Sequence, residues 1–227
     1  MASVLETVVF EPPKFLEELQ AFDELLKSKA DLSERKDIQP FFKKSKHLTA
    51  YMGTFALNIA VATEICFEYE IFGDFIADIL LGSKQKKEFC VVEFEDGKQD
   101  TIFKKQKKRK NPEWSSRFEH AFSQIIDWFY CLEGHKNSDG FLATFGSGHT
   151  SFTGLLVMGR SASLDDTKKS RLKWRTDTVS IGRHKVSCIT FDDLHAELQG
   201  KFNLYSAGSK EETTTEAPGL PPPQENN

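Results

Sequence analysis

A chain of 227 residues, 39 % hydrophobic and 28 % charged, can fill one core with a small appendage and has neither a disordered nor a fibrous composition. Its formal net charge of -4 argues against a protein that simply coats DNA, while leaving room for a local basic patch. No apolar stretch is long enough to span a bilayer, there is no N-terminal apolar signal, and the four cysteines form no CxxC pair. The expectation is a cytoplasmic protein with reduced thiols, an aromatic-rich core and no membrane partner.

Residues 1–14 contain VVFEPP, which reads as an N-terminal arm or edge strand ended by its prolines. Phe15, Leu16, Leu19, Phe22, Leu25 and Leu26 then recur at spacings of three and four, which predicts an amphipathic helix. Asp31–Glu34 breaks that pattern and starts another, with Ser33 as N-cap candidate and an apolar stripe of Ile38, Phe41 and Phe42. Pro40 predicts a local bend if it is helical. Residues 47–60 suit a short helix and a loop. VATEICFEYEIF predicts a strand with Ile65, Phe67, Tyr69 and Ile71 on one face and Cys66, Glu68 and Glu70 on the other.

After a bend at Phe72–Gly73, DFIADILLG predicts a second strand, and EFCVVEFED a third that is buried on both faces. A charged loop runs to Asn111–Pro112. Ser115 or Ser116 is placed to cap a helix whose buried side is Phe118, Phe122, Ile125, Ile126 and Phe129, with Gly134 as its stop. Residues 135–150 read as a glycine-rich loop. A buried strand (SFTGLLVMGR), a helix, a core strand (KVSCITF) and a helix (FDDLHAELQGKF) follow. The element order gives one α/β domain over 15–205, a central mixed sheet flanked by helices, and a disordered tail over 206–227.

Two acids of the third strand, Glu93 and Glu95, are two residues apart and so share a face. The neighbouring strand can bring Asp74 beside them. Acids inside apolar strands are costly unless paired or bound to a cation, which points to a divalent metal site; a solvated sheet edge gives the same pattern. Glu34 and Gln124 sit on helices before and after these strands, with Trp128 one turn beyond Gln124. The run Lys104, Lys105, Lys107, Lys108, Arg109 and Lys110 puts six positive charges in seven residues. Such a run suits nucleic-acid phosphates, a solvated loop or a nuclear-import signal. Other chemistries find less support. No Cys–His pair is suggested by spacing, no histidine spacing suits zinc, and Gly146–Gly148 lacks the Gly-Lys-Ser/Thr of a phosphate loop.

The order Glu34-x-x-x-Ile-Gln-x-Phe-Phe, Asp74-Phe75, Val92-Glu93-Phe94-Glu95 and Gln124-x-x-x-Trp128 resembles the PD-(D/E)xK nuclease superfamily, and more narrowly the catalytic domain of Shedu antiphage proteins (the DUF4263 family). GLLVMGR at Gly154–Arg160 and VSCITFDDL at Val186–Leu194 resemble that domain's closing strands and helix, so the likeness spans Phe15 to Leu198. It implies a restriction-endonuclease-like fold and a Mg²⁺- or Mn²⁺-dependent DNA endonuclease in antiviral defence. Asp74 and Glu93 would be the metal carboxylates, Glu34 an auxiliary acid and Gln124 a supporting residue. Homo-oligomers are implied too. Almost nothing precedes Phe15, so sensing is expected to use the domain itself, its loops or a separate sensor protein.

Glu95 departs from the pattern, because it stands where the family has a lysine. Three readings follow. Lys98 or a residue of Lys104–Lys110 reaches the site; Glu95 acts with Asp96 as an extra metal ligand or base; or the domain is a degenerate nuclease fold that binds DNA or protein without cutting.

Overall fold

The computed structural model describes residues 4–56, 61–104 and 111–211. Among the described residues seven strands form one sheet in the order β1-β2-β3-β4-β5-β7-β6: β1 (Glu6–Thr7), β2 (Glu64–Ile71), β3 (Phe75–Ser83), β4 (Glu88–Phe94), β5 (Ser151–Val157), β6 (Ser180–Ile181) and β7 (His184–Ile189). The first four pair antiparallel, β4–β5 and β5–β7 pair parallel, and β6 closes the far edge antiparallel. The expected mixed sheet is present, and helices cover both faces.

On one face lie α1 (Pro12–Ser28), α2 (Gln39–Lys44), α3 (Lys46–Tyr51), α4 (Gly53–Ala56) and α8 (Phe191–Glu211). The other face carries α5 (Ser116–His135), α6 (Asp139–Phe145) and α7 (Asp166–Thr178). The central strand β4 shows why it must be apolar throughout. Cys90, Val92 and Phe94 pack under α1, α2 and α8, whereas Phe89 and Val91 pack under α5 and α6. The aromatic-rich core is built of ring contacts such as Phe15–Tyr51 at 4.3 Å and Phe141–Phe145 at 4.6 Å. Each fully buried phenylalanine contributes about 2–3 kcal/mol of transfer free energy. Among the described residues no helix is long and apolar enough to cross a membrane.

Several expectations change. Strict alternation along β2 fails: Ile65 and Phe67 pack into the α1 layer, but Tyr69 and Ile71 pack into the α5 layer. Between them Glu68 has a left-handed backbone, φ 50°. Its neighbour across the ladder is Asp78, where β3 changes face in the same way: Ala77 faces α5 and Ile79 faces α1. A local twist thus puts Asp78 at a fault line in the sheet. Pro40 falls where the helical run changes its winding. It lies in the first turn of α2, where its missing N–H costs nothing, after a π-helical turn at Glu34–Ile38.

The prolines at 12 and 13 open α1 in the same manner, and β1 of the arm joins the sheet. Residues 135–150 are not all loop. Ser138 accepts the Phe141 N–H and starts α6, which ends on Gly146 in the left-handed conformation, φ 77°. Helix α8 continues to Glu211, past the expected boundary at 205, and the rest of the expected tail lies outside the described residues.

Candidate acidic cleft

Four segments meet at one end of the sheet: the π-helical turn, the middle of β3, the end of β4 with the two residues after it, and the start of α5. A two-hydrogen-bond bridge holds the first to the third, Leu32 N to Gly97 O at 3.1 Å and Gly97 N to Leu32 O at 2.9 Å. Ser115 caps α5 by accepting the Phe118 N–H at 2.9 Å. Ser33, the expected cap of the other turn, uses no side-chain bond for that purpose. Asp96 takes the role from across the cleft, its Oδ1 accepting the Glu34 N–H at 2.9 Å.

The fold brings Asp78, rather than Asp74, to this cleft. Asp78 Oδ1 accepts the Gln39 amide at 2.7 Å, and Oδ2 accepts the Phe94 N–H at 2.7 Å. The same Gln39 nitrogen reaches Glu34 Oε1 at 3.1 Å, so one amide bridges two acids. Continuing the β3–β4 register one step past Ile79↔Val92 brings Asp78 opposite Glu93. Asp74 lies four residues away, about 13 Å along an extended strand. It is exposed at the β2–β3 turn, and its carboxylate faces the Cys131 thiol at 3.6 Å. There it lines a separate cleft of about 930 Å³ with Asp127, Tyr130, His135 and Lys136.

That second cleft holds a Cys–His approach that the spacing argument missed. Cys131 Sγ is 3.6 Å from His135 Nδ1, one helical turn on. It does not make a nucleophile. Burial and then Asp74 push the thiol up to about 11, and His135 Nδ1 is engaged by the Cys131 carbonyl at 2.9 Å.

The acids of the first cleft crowd one another. Burial, followed by the charges of Asp78, Glu95 and Glu34, pushes Glu93 up to about 9. Burial, opposed by the Phe94 N–H and reinforced by Glu34, pushes Asp78 up to about 6, and the two titrate as a pair. Glu95 is pushed up to about 7 by burial, against the pull of Arg117. Glu34 is raised by burial and by Asp96. Asp96 behaves oppositely. Burial works against its charge, but Lys98, the Glu34 N–H and Arg117 together hold it below the usual range.

Arg117 went unnoticed in the sequence. Its Nη1 lies 2.6 Å from Asp96 Oδ2 and 3.3 Å from Glu95 Oε2. Lys98 Nζ also reaches Asp96 Oδ2, at 2.6 Å. The opening, about 580 Å³, is lined by Ser33, Glu34, Arg35, Lys36, Glu95, Asp96, Ser116, Arg117 and His120. Beside it a second opening of about 760 Å³ includes Lys98 and Lys104. Gln124 is half-buried on the α5 stripe that begins with Arg117 and His120, about 10 Å beyond Arg117, and does not line either opening. Trp128 is core. Of the basic run, Lys104 is exposed beside the cleft, while Lys105, Lys107, Lys108, Arg109 and Lys110 lie outside the described residues.

Carboxylate oxygens are the right donors for Mg²⁺ or Mn²⁺. In this arrangement most of the acids are committed to protein partners. Among the described residues no three His, Cys, Asp or Glu side chains come together so as to hold an ion. Both Asp78 oxygens already accept hydrogen bonds, and Glu95 and Asp96 are paired with Arg117.

The sequence matches a family model described as Shedu protein SduA, C-terminal, over residues 31–195. No curated protein matches it. The matched span holds Glu34, Asp78, Glu93, Glu95, Asp96 and Arg117 and covers most of the chain. The chain belongs to the Shedu SduA C-terminal family.

Proposed function

We propose that this chain is a nuclease-fold module of a Shedu antiphage system that binds DNA across the acidic cleft and does not cut it. The carrying observation is that most acids of the cleft, all but Glu93, have partners within it. Gln39 bridges Glu34 and Asp78, Arg117 and Lys98 neutralise Asp96, and Glu95 stands where a lysine would be needed. Arg35, Lys36, Lys98, Lys104 and Arg117 rim the two adjoining openings, which favours a polyanion. The restriction-endonuclease-like topology is part of this reading. It is supported by the β3–β4 hairpin with acids opposed and by the parallel β4–β5 pair after α5.

A second reading has one observation in its favour. The raised Glu93, Glu95 and Asp78 mark acids short of a cation, as in a site that assembles around Mg²⁺ or Mn²⁺. The two readings separate in one experiment. Supercoiled plasmid is incubated with the protein and Mg²⁺ or Mn²⁺, and binding of a labelled duplex is followed by anisotropy. Binding without nicking is the expected result. Nicking by the wild type that disappears in Glu93→Ala replaces the binding-only reading with the metal-dependent one, and absence of DNA binding at low salt removes both.

A further inference from the structure

The positive charge missing from β4 has a replacement. We propose that Arg117 supplies it from the start of α5 and presents it to a backbone phosphate of bound nucleic acid; the inference rests on the DNA-binding reading above. A lysine two residues after Glu93 would project its ammonium from the position of Glu95. The Arg117 guanidinium lies 3.3 Å from the Glu95 carboxylate, so a cation reaches the same place from a different element.

The layering decides which charge the cleft displays. Glu95 and Asp96 lie beneath, with side chains 11 % and 12 % exposed, while the Arg117 side chain above them is 47 % exposed. Among the described residues Arg117 meets these acids through Nη1 alone. A guanidinium has five N–H donors in a fixed fork, and the remainder suit an anion of phosphate shape. Arg117 lines both openings, and Arg35 and Lys36 form the facing wall of the smaller one. A phosphate entering there meets cations on two sides and only half-buried or buried acids on the floor. The acids also orient Arg117. Asp96 is fixed by the Glu34 N–H, so it is a rigid counter-ion that holds the guanidinium against the cleft wall.

The test measures anisotropy of a fluorescein-labelled duplex with the full chain across a salt series, in EDTA. The variants are Arg117→Gln, Arg117→Lys and, as a charge control, Lys173→Ala, whose ammonium pairs with Asp177 on α7 away from the cleft. Arg117→Gln is expected to weaken binding about tenfold and to lower the slope of log K against log salt by about one. Arg117→Lys should restore most of the slope but not the full affinity, because a point charge replaces a fork. Lys173→Ala should leave the slope unchanged. A wild-type slope in Arg117→Gln, or equal losses in the Gln and Lys variants, overturns the role of Arg117 while leaving the DNA-binding reading in place. No binding by the wild type at any salt overturns both. The Lys variant keeps the comparison open should Arg117→Gln prove unstable.

Discussion

Gln39 donates its side-chain amide to Asp78 across 2.7 Å, which ties the first turn of α2 to the fault line in β3. The same nitrogen holds Glu34, so a single neutral group keeps two acids from facing each other directly. Replacing it with Leu removes the donor and leaves both carboxylates short of a partner. Gln39→Leu should lose about 1–3 kcal/mol of stability at pH 7, read by urea denaturation. A change below about 0.5 kcal/mol would show that the amide stabilises neither acid.

Glu93 makes stability fall as pH rises. Its carboxyl is easier to keep protonated in the folded chain than in the unfolded one, where it titrates near the ordinary 4.3. The stabilisation is therefore complete below that value and is lost as pH climbs through about 9. Glu93→Gln mimics the protonated form at every pH. In EDTA it should exceed the wild type by about 1–3 kcal/mol at pH 8, and the gap should close by pH 4. A gap of constant size across that range would mean that Glu93 titrates normally.

Asp74 and Asp78 differ in what they serve. Asp74→Asn alters an exposed turn beside Cys131 and should leave DNA binding and stability within about 0.5 kcal/mol of wild type. Asp78→Asn changes an acceptor of two hydrogen bonds at the acidic cleft, and should shift the titration of Glu93 downwards by removing a neighbouring charge. Side-chain carbonyl NMR shifts of Glu93 through a pH series check both statements.

Arg160 joins three elements far apart in sequence. It clamps Asp192 at the start of α8 and donates to the carbonyls of Leu26 and Lys29 at the end of α1. Since α1 leads directly into the wall of the cleft, the clamp steadies that wall. Arg160→Met should cost about 2–3 kcal/mol, because two carbonyls lose this donor and a partly buried carboxylate is left with the Ser161 N–H but no cation. A guanidinium chloride melt gives the value, and a change below 0.5 kcal/mol would show the contact to be incidental.

Gly154 allows α5 to lie close on β5. A Cβ there would stand 2.5 Å from Ile125 Cγ2, so one side chain or the helix must shift. Gly154→Ala should therefore destabilise by about 1–3 kcal/mol, and Gly154→Ala with Ile125→Val should recover part of that loss. Thermal melts of the two variants measure the recovery.

Hydrophobic spacing made most of the architecture legible. The stripes of α1 and α5 and the apolar run of β4 are direct consequences of burial, and burial is written in residue type. Helix α6 escaped because glycines flank it, although Ser138 and the pair Phe141 and Phe145 were its signals. For a different reason, Asp78 was not singled out. Asp74-Phe75 looked like a motif, while Asp78 sits where β2 and β3 exchange faces, and a left-handed Glu68 cannot be foreseen from alternation. Arg117 comes to Asp96 through long-range contacts such as the Ser115 N–H on the Ile102 carbonyl, which leave no period in the sequence.

The bridge between Leu32 and Gly97 gives the cleft one more property. Its two walls are joined by main-chain atoms as well as by the Asp96 and Gln39 side chains, so part of the join is indifferent to what lines the opening. Rim charges that take no part in either join, such as Arg35 and Lys36, can be rewritten without breaking it. A frame of that kind keeps its gauge while the charges at its rim change.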